Sequence, residues 1–325
     1  MKSQIKFLIL LLVGILVFKW VYDVFSGEKA INIILENKDL LYLLIIAHIP
    51  TLYFDAMTWV ILSKNPRLSL LWSFIIVWIS QATGKFFPTG NITGEFVRIY
   101  LAVKKGLSTA EATSTVFIDL VIATFSLFLI AVMSFIYFLF GSHDDLLIKH
   151  IIYLSLSLLL IFISCIIFYF FISKRILKLL IKKIPSLFGY KISSQRVFSI
   201  IRIDRALYQA VKNKITLIKA LICRIFGWLG GAFEIYVFLW IIGFEPNIID
   251  VIIIESFSGI IRAFAFFIPA GIGVQELAFV IVGDFVGLSS ETSFSIALGR
   301  RVREILIGLP AITSWFLIKD KLKNN

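Results

Sequence analysis

The sequence predicts an all-α, polytopic membrane protein. Three observations carry that reading: an apolar excess, long runs without charge, and a basic excess confined to one stretch. Of 325 residues, 59% are hydrophobic and 16% are charged, whereas soluble globular domains run at about 45–50% and about 25%. Residues 120–142 and 151–173 contain no charged side chain. Each run, rising about 1.5 Å per residue as a helix, is long enough to cross a hydrocarbon core about 30 Å thick. The formal net charge is +12, and Lys174 to Arg224 holds 13 Lys or Arg against one acid, Asp204. That single stretch therefore accounts for the whole excess, and the rest of the chain balances.

Eight hydrophobic helical spans follow, near 5–25, 39–62, 67–87, 113–141, 148–173, 216–243, 249–268 and 294–318. The first has Lys19, Trp20 and Asp23 where a signal peptide would need small residues, so it reads as an uncleaved helix. The second carries His48 and Asp55, seven apart, for which packing or capping is the favoured role. The third runs into Gly84–Gly94, a stretch too broken by Pro88, Gly90 and Gly94 for a continuous helix. Asp119 lies early in the fourth, and Glu234 lies well inside the sixth. Glu255 and Arg262, seven apart in the seventh, share one helical face. Arg300, Arg301, Arg303 and Glu304 interrupt an otherwise apolar eighth span. Trp20, Tyr22, Tyr42, Trp59, Trp240 and Trp315 sit at span ends as an aromatic belt requires, and Trp78, mid-span, reads as a packing residue. Cys165 and Cys223 both fall inside helices, where packing is expected rather than a disulfide or a metal site.

The chain is expected to form one integral membrane domain over 1–325, with a first half at 1–173, a basic cytoplasmic loop at 174–215 and a second half at 216–325. Positive charge stays on the cytoplasmic side. That rule fixes the loop inside, and with it both termini, through Lys2 and Lys6 and through Lys319, Lys321 and Lys323. The acidic connections at 141–147 and 244–250 then lie outside. The 175–183 segment suits an anionic leaflet surface, and an ordinary solvated loop fits equally. Nucleic-acid binding is excluded as a partner class, since the basic stretch lacks aromatic interleaving and a soluble fold around it.

With those signs fixed, the third span starts and ends inside, because Lys64 and Arg67 precede it and Arg98, Lys104 and Lys105 follow. The seventh starts outside and must return outside, turning at Ile268–Gly273. Two re-entrant broken-helix hairpins from opposite faces, with six full crossings, are expected to form an inverted repeat. The two turns share a pattern: Pro88-Thr89-Gly90 precedes Glu95, and Pro269-Ala270-Gly271 precedes Glu276, each glutamate seven residues after its proline. Broken hydrophobic segments in matching places of two halves point to a transporter-like site near the midplane, because irregular backbone at that depth must be buried in protein or line a wet cavity.

The candidate substrate-binding or gating residues gather at these breaks: Lys85, Gly90, Gly94, Glu95 and Arg98 at the first, Arg262, Gly271, Gly273 and Glu276 at the second, and Arg300 and Arg303 on the last span. A charge at the bilayer centre costs about 2.5–3.5 kcal/mol on insertion scales, so each needs a partner or water. For any one of them a structural ion pair, such as Arg300 with Glu304, competes with a functional role. As a set beside two breaks they favour a cavity, expected to be shared by Glu95 and Glu276. Clustered cations and half-helix N-termini suit an anionic head group. No cofactor, metal-ligand spacing, catalytic triad order or phosphate-binding glycine loop appears in the sequence.

These residues also resemble a known family. Pro88 to Arg98, the following Lys104 to Ala112 and Pro269 to Glu276 are similar to the flippase-like domain family, that of the transmembrane region of lysylphosphatidylglycerol synthases. Gly299 to Glu304, together with the second motif, looks closest to the hopanoid-biosynthesis-associated membrane proteins within it. The resemblance runs from about residue 5 to 318. It implies a bacterial inner-membrane protein that moves an amphiphilic, anionic or isoprenoid-type lipid between leaflets, and it points to Gly90, Gly94, Glu95, Arg98, Gly271, Gly273, Glu276 and Arg300. Only Lys319 to Asn325 follow the last span, so lysyl transfer from tRNA is not expected of this chain alone. A membrane-embedded lipid-modifying transferase, or a non-catalytic partner of one, is the alternative. A membrane lipid is the expected substrate, with a lipid-biosynthesis enzyme or a second copy of the chain as the partner left open.

Overall fold

The computed structural model describes residues 2–87, 91–141, 147–181, 194–265 and 268–318. Among these every regular element is helical. In order they are α1 (Lys2–Val24), α2 (Gly27–Glu36), α3 (Leu43–Ser63), α4 (Leu70–Phe86), α5 (Asn91–Lys104), α6 (Thr109–Gly141), α7 (Leu147–Ser173), α8 (Ser194–Lys212), α9 (Lys214–Ile241), α10 (Ile248–Phe264), α11 (Val274–Phe285) and α12 (Ser290–Ile318). A 3-10 turn at Pro269–Gly271 lies between α10 and α11.

Four helical stretches are long and apolar enough to cross a membrane: 38–63, 109–137, 151–173 and 214–241. A fifth is added if α1 and α2, bent by 84° at their junction, are taken as one broken span. The bend has a local cause. Ser26 adopts a left-handed conformation (φ 56°) and Gly27 packs against the Tyr22 ring. The α7 flank leaves Leu156, Leu160 and Ile167 more than half exposed, a surface that hydrocarbon tolerates and water does not.

The remaining predicted spans are shorter or more charged than a simple crossing. α4 and α10 have 17 residues each, about 26 Å of helix. α5 has 14 and α11 has 12, about 21 and 18 Å. None reaches across about 30 Å of hydrocarbon alone. Each short pair packs together, α4 on α5 and α10 on α11, so each break joins two helices packed on one another. α12, at 29 residues, is long enough but carries four of its five charged residues mid-helix.

Three hydrophobic clusters hold the helices. The largest joins α1, α3, α6 and α7 to α9 through α12 around Leu44, Phe238, Phe257, Phe279 and Phe294. A second ties α3 and α4 to α5 and α6 around Trp59 and Ile76. A third seats α8 against α6, α7 and α9 through Leu207, Ile118 and Ala220. α3 and α9 share the most extensive contact, and they pack closely: a Cβ on Gly230 would stand 2.9 Å from the Thr51 backbone nitrogen.

The basic stretch is more than a loop. Its one acid, Asp204 on α8, is buried and accepts from Arg175 Nε at 2.7 Å and from the Lys178 backbone at 3.3 Å. That anchor draws the start of the stretch onto α8. Residues 182–193, and with them most of the 175–183 segment's basic end, lie outside the described residues, as do the acidic connection at 142–146 and the lysines after 318.

Candidate functional site

The charged side chains within the helical bundle are paired. Asp119, fully buried on α6, takes Arg98 of α5 at 2.7 Å and Arg224 of α9 at 3.4 Å. Arg224 also bonds Asp55 of α3. Arg98 reaches Glu95 at 3.6 Å and lies over the Trp59 ring at 4.3 Å. A second group forms around α9 and α10. Arg303 donates to Glu234 at 2.9 and 3.1 Å, Arg300 to Glu255 at 2.7 and 3.3 Å, and Arg262 to Glu255 at 3.0 Å. Arg300 Nε lies 3.5 Å from Glu234, closing the ring. A third group runs from Lys85 to Glu304 at 2.9 Å, from Glu304 to Arg301 at 3.2 Å, and from Arg301 to Glu276 at 2.8 Å. Pairing is what makes burial tolerable, since a lone ion in hydrocarbon must find a partner or water.

These groups surround a cavity of about 200 Å³. His48 of α3 lines it, with Gln81 and Lys85 of α4, Gly94 and Glu95 of α5, Arg262 of α10, and Arg300, Arg303 and Glu304 of α12. The α4–α5 hairpin thus forms one wall. Gly94 permits the hairpin to close: a Cβ there would meet the Ser80 carbonyl at 2.5 Å. Trp78, mid-helix on α4, ties that wall to α12 by donating from Nε1 to the Ile307 carbonyl at 3.0 Å, a packing role with a polar tip.

The second break is built differently. Ala270 (φ 54°), Gly271 (φ 59°) and Gly273 (φ 81°) are all left-handed, which turns the chain sharply after α10. Glu276 Oε2 then accepts from the Gly273 backbone nitrogen at 2.8 Å, capping α11. Arg301 clamps the same turn, donating to the Ala270 and Gly271 carbonyls at 2.7 and 3.2 Å.

Of the sequence-predicted residues, Lys85, Gly94, Glu95, Arg262, Arg300 and Arg303 line the cavity. Arg98 is buried just behind it on Asp119. Gly90 lies outside the described residues. Gly271, Gly273 and Glu276 shape the second turn and do not line the cavity. The two glutamates are therefore not equivalent: Glu276, three residues into α11, is consumed by its cap and by Arg301, whereas Glu95 sits in the second turn of α5 with a side chain 29% exposed. The expected Arg300–Glu304 pair is also replaced. Arg300 turns to Glu255 of α10 and Glu234 of α9, while Glu304 takes Lys85 of α4 and, within α12, Arg301 three residues before it.

His48 and Asp55 do more than pack or cap. His48 Nδ1 lies 2.9 Å from Glu234 Oε2 and its Nε2 lies 3.3 Å from Gln81 Oε1, while Gln81 Nε2 donates to Asp55 at 3.0 Å. Sequence reading missed Gln81 and undervalued His48; the seven-residue spacing from Asp55 hinted at His48, and nothing of that kind marks Gln81. Among the described residues, no three His, Cys, Asp or Glu side chains gather as a metal-holding group. Cys223 is buried, and Cys165 lines a separate apolar groove of about 590 Å³ between α6, α7 and α9.

A cavity walled by a broken hairpin and buried ion pairs, inside an all-helical membrane bundle, has a counterpart at the level of sequence. The family model described as lysylphosphatidylglycerol synthase TM region matches residues 5–311. The chain belongs to that family. Comparison with curated proteins and with solved structures returned no match. The family match takes in both hairpins and every cavity-lining residue named above, so the whole helical body of this member, and not one segment of it, carries the likeness.

Proposed function

We propose that this member of the family is a lipid translocase of the bacterial inner membrane, moving an amphiphilic, anionic or isoprenoid-type lipid between leaflets. The observation that carries the reading is the charge of the cavity wall. Lys85, Arg262, Arg300 and Arg303 line it with Glu95 and Glu304, so cations outnumber carboxylates on its surface, while Glu255 and Glu234 behind that surface balance the arginines. A wall of that sign, at a broken hairpin where backbone and water meet, suits a phosphate-bearing head group. The exposed apolar flanks of α7, and the groove beside Cys165, suit acyl chains that stay in hydrocarbon while the head group crosses. In this reading the α4–α5 and α10–α11 hairpins are re-entrant from opposite faces, six spans cross fully, and both termini are cytoplasmic.

The test is leaflet exchange of fluorescent phosphatidylglycerol, phosphatidylcholine and an isoprenoid phosphate in proteoliposomes, with Lys85→Gln and Glu95→Gln beside the unaltered protein. Exchange of the anionic lipids that both substitutions diminish supports the reading. Absence of exchange with all three lipids from folded protein refutes it, and favours a transferase or a non-catalytic partner of one.

A further inference from the structure

His48 is held between two acceptors. Its Nδ1 meets the Glu234 carboxylate at 2.9 Å, and its Nε2 meets Gln81 Oε1 at 3.3 Å. A carboxylate only accepts, and so does an amide oxygen. Neutral imidazole has one N–H and can satisfy only one of them, whereas the doubly protonated ring satisfies both. Turning the Gln81 amide over does not resolve the conflict. Its Nε2 now donates to Asp55 Oδ2 at 3.0 Å, and the flipped amide would set its oxygen against that carboxylate. Asp55 is in turn paired with Arg224. The arrangement therefore needs one proton more than a neutral histidine supplies.

The surrounding charges say what that proton does. Glu95, Asp119 and Asp55 with Arg98 and Arg224 leave one negative charge. Glu234 and Glu255 with Arg262, Arg300 and Arg303 leave one positive charge. Lys85, Arg301, Glu276 and Glu304 balance. These paired groups total seven acids and seven bases, and the His48–Gln81 link joins the negative set to the positive one. Around the imidazole stand Glu234 from α9, Gln81 from α4, Arg303 and Arg300 from α12, and Asp55 two turns along α3 itself. A proton on His48 is the one unmatched charge in an otherwise neutral assembly, and His48 faces the cavity. A singly charged anion in that cavity would match it.

We propose that His48 is a proton-binding site that loads together with an anionic head group, so that lipid movement is proton-coupled and electroneutral, one proton for each singly charged head group. This rests on the translocase reading. Because binding linkage is reciprocal, the head group favours the protonated ring and the proton favours the head group. The close α3–α9 contact at Thr51 and Gly230 holds His48 on Glu234, so the element free to respond is the α4 side, where Gln81 is bonded more loosely.

The experiment uses fluorescent phosphatidylglycerol in proteoliposomes under an imposed pH gradient, or under a potassium–valinomycin potential alone. The gradient is expected to change the exchange rate by about fivefold or more, the range of ordinary coupling free energies, while the potential alone leaves it unchanged. In His48→Gln the ratio of rates with and without the gradient falls to one. Unaltered protein whose exchange ignores the gradient overturns the proposal and leaves the translocase reading intact, and a response to potential alone overturns electroneutrality. If no lipid moves, the translocase reading fails and ring-nitrogen NMR decides the proton site separately. For that measurement His143→Gln and His150→Gln leave His48 as the one histidine, and short-chain phosphatidylglycerol is added near pH 7. Conversion to a ring with both nitrogens protonated supports the site, and unchanged nitrogen shifts overturn it.

Discussion

Glu255 carries two cations, and removing its charge should be among the most damaging single changes in the protein. Its carboxylate takes Arg300 at 2.7 and 3.3 Å and Arg262 at 3.0 Å, with side-chain exposures of 6%, 6% and 18%. At an effective dielectric of about 20, a pair of unit charges about 4 Å apart is worth about 4 kcal/mol. Breaking a buried pair from one side costs about 3–5 kcal/mol, because the stranded cation stays buried. Arg300 keeps a weaker hold on Glu234 at 3.5 Å, which places Glu255→Gln near the lower end, about 3 kcal/mol. The assay is thermal and denaturant unfolding of detergent-solubilised protein, followed by fluorescence-detected size exclusion. Glu255→Gln combined with Arg262→Gln restores the count of charges and should lose about 1–2 kcal/mol less than the two single losses summed. Asp23→Asn supplies the contrast, since its pair with Lys19 at 2.8 Å is half exposed or more on both sides, and it should leave the melting temperature essentially unchanged. A Glu255→Gln protein as stable as Asp23→Asn would refute the view that these ion pairs are dry and structural.

Three further outcomes are expected. Gly94→Ala forces a methyl group to within 2.5 Å of the Ser80 carbonyl, so the α4–α5 hairpin should open with a loss of about 2–3 kcal/mol, read as a lowered melting temperature and new protease cleavage between residues 87 and 94. Gly271→Ala meets open space but keeps φ at 59°, so only backbone strain of about 1 kcal/mol is expected, and the same melting assay should rank it well above Gly94→Ala. Trp78→Phe removes the hydrogen bond to Ile307 at 3.0 Å and should cost about 1–2 kcal/mol with the carbonyl left dry, visible as weakened α4–α12 cross-linking between engineered cysteine pairs.

Much of the fold is legible because the bilayer enforces it. The uncharged runs at 120–142 and 151–173 became α6 and α7 with little room for another outcome. The two breaks were legible through Pro88, Gly90, Pro269 and Gly271, residues that end helices whatever surrounds them. Partner choice was not. Nothing local in the sequence distinguishes Arg300 reaching Glu255 from Arg300 reaching Glu304, because that depends on where α10 lies beside α12. The equal spacing of Glu95 and Glu276 from their prolines hid a difference in register, since α11 begins at Val274 and makes Glu276 its cap. α2 and α8 also escaped notice. Their apolar faces are narrow and their charge high, so a hydropathy scan passes over them, although a count of 3.6-residue periodicity would have found both.

The contact between α1 and the Gly273 turn has a consequence for how the chain is made. A Cβ on Gly273 would stand 2.5 Å from the Gly14 carbonyl, and Phe18 and Tyr22 lie against Phe294 at ring distances of 5.9 and 6.4 Å. α1 thus docks on segments made about 250 residues after it. At roughly 5–20 residues per second, it waits in the bilayer for roughly 13–50 s before that seat exists. During this interval its small-residue face at Gly14 is open to other helices, including those of unrelated nascent chains. Assembly of this bundle is therefore closed when α1 meets the Gly273 turn and α12, and a truncation that removes α11 and α12 would strand α1 without its berth.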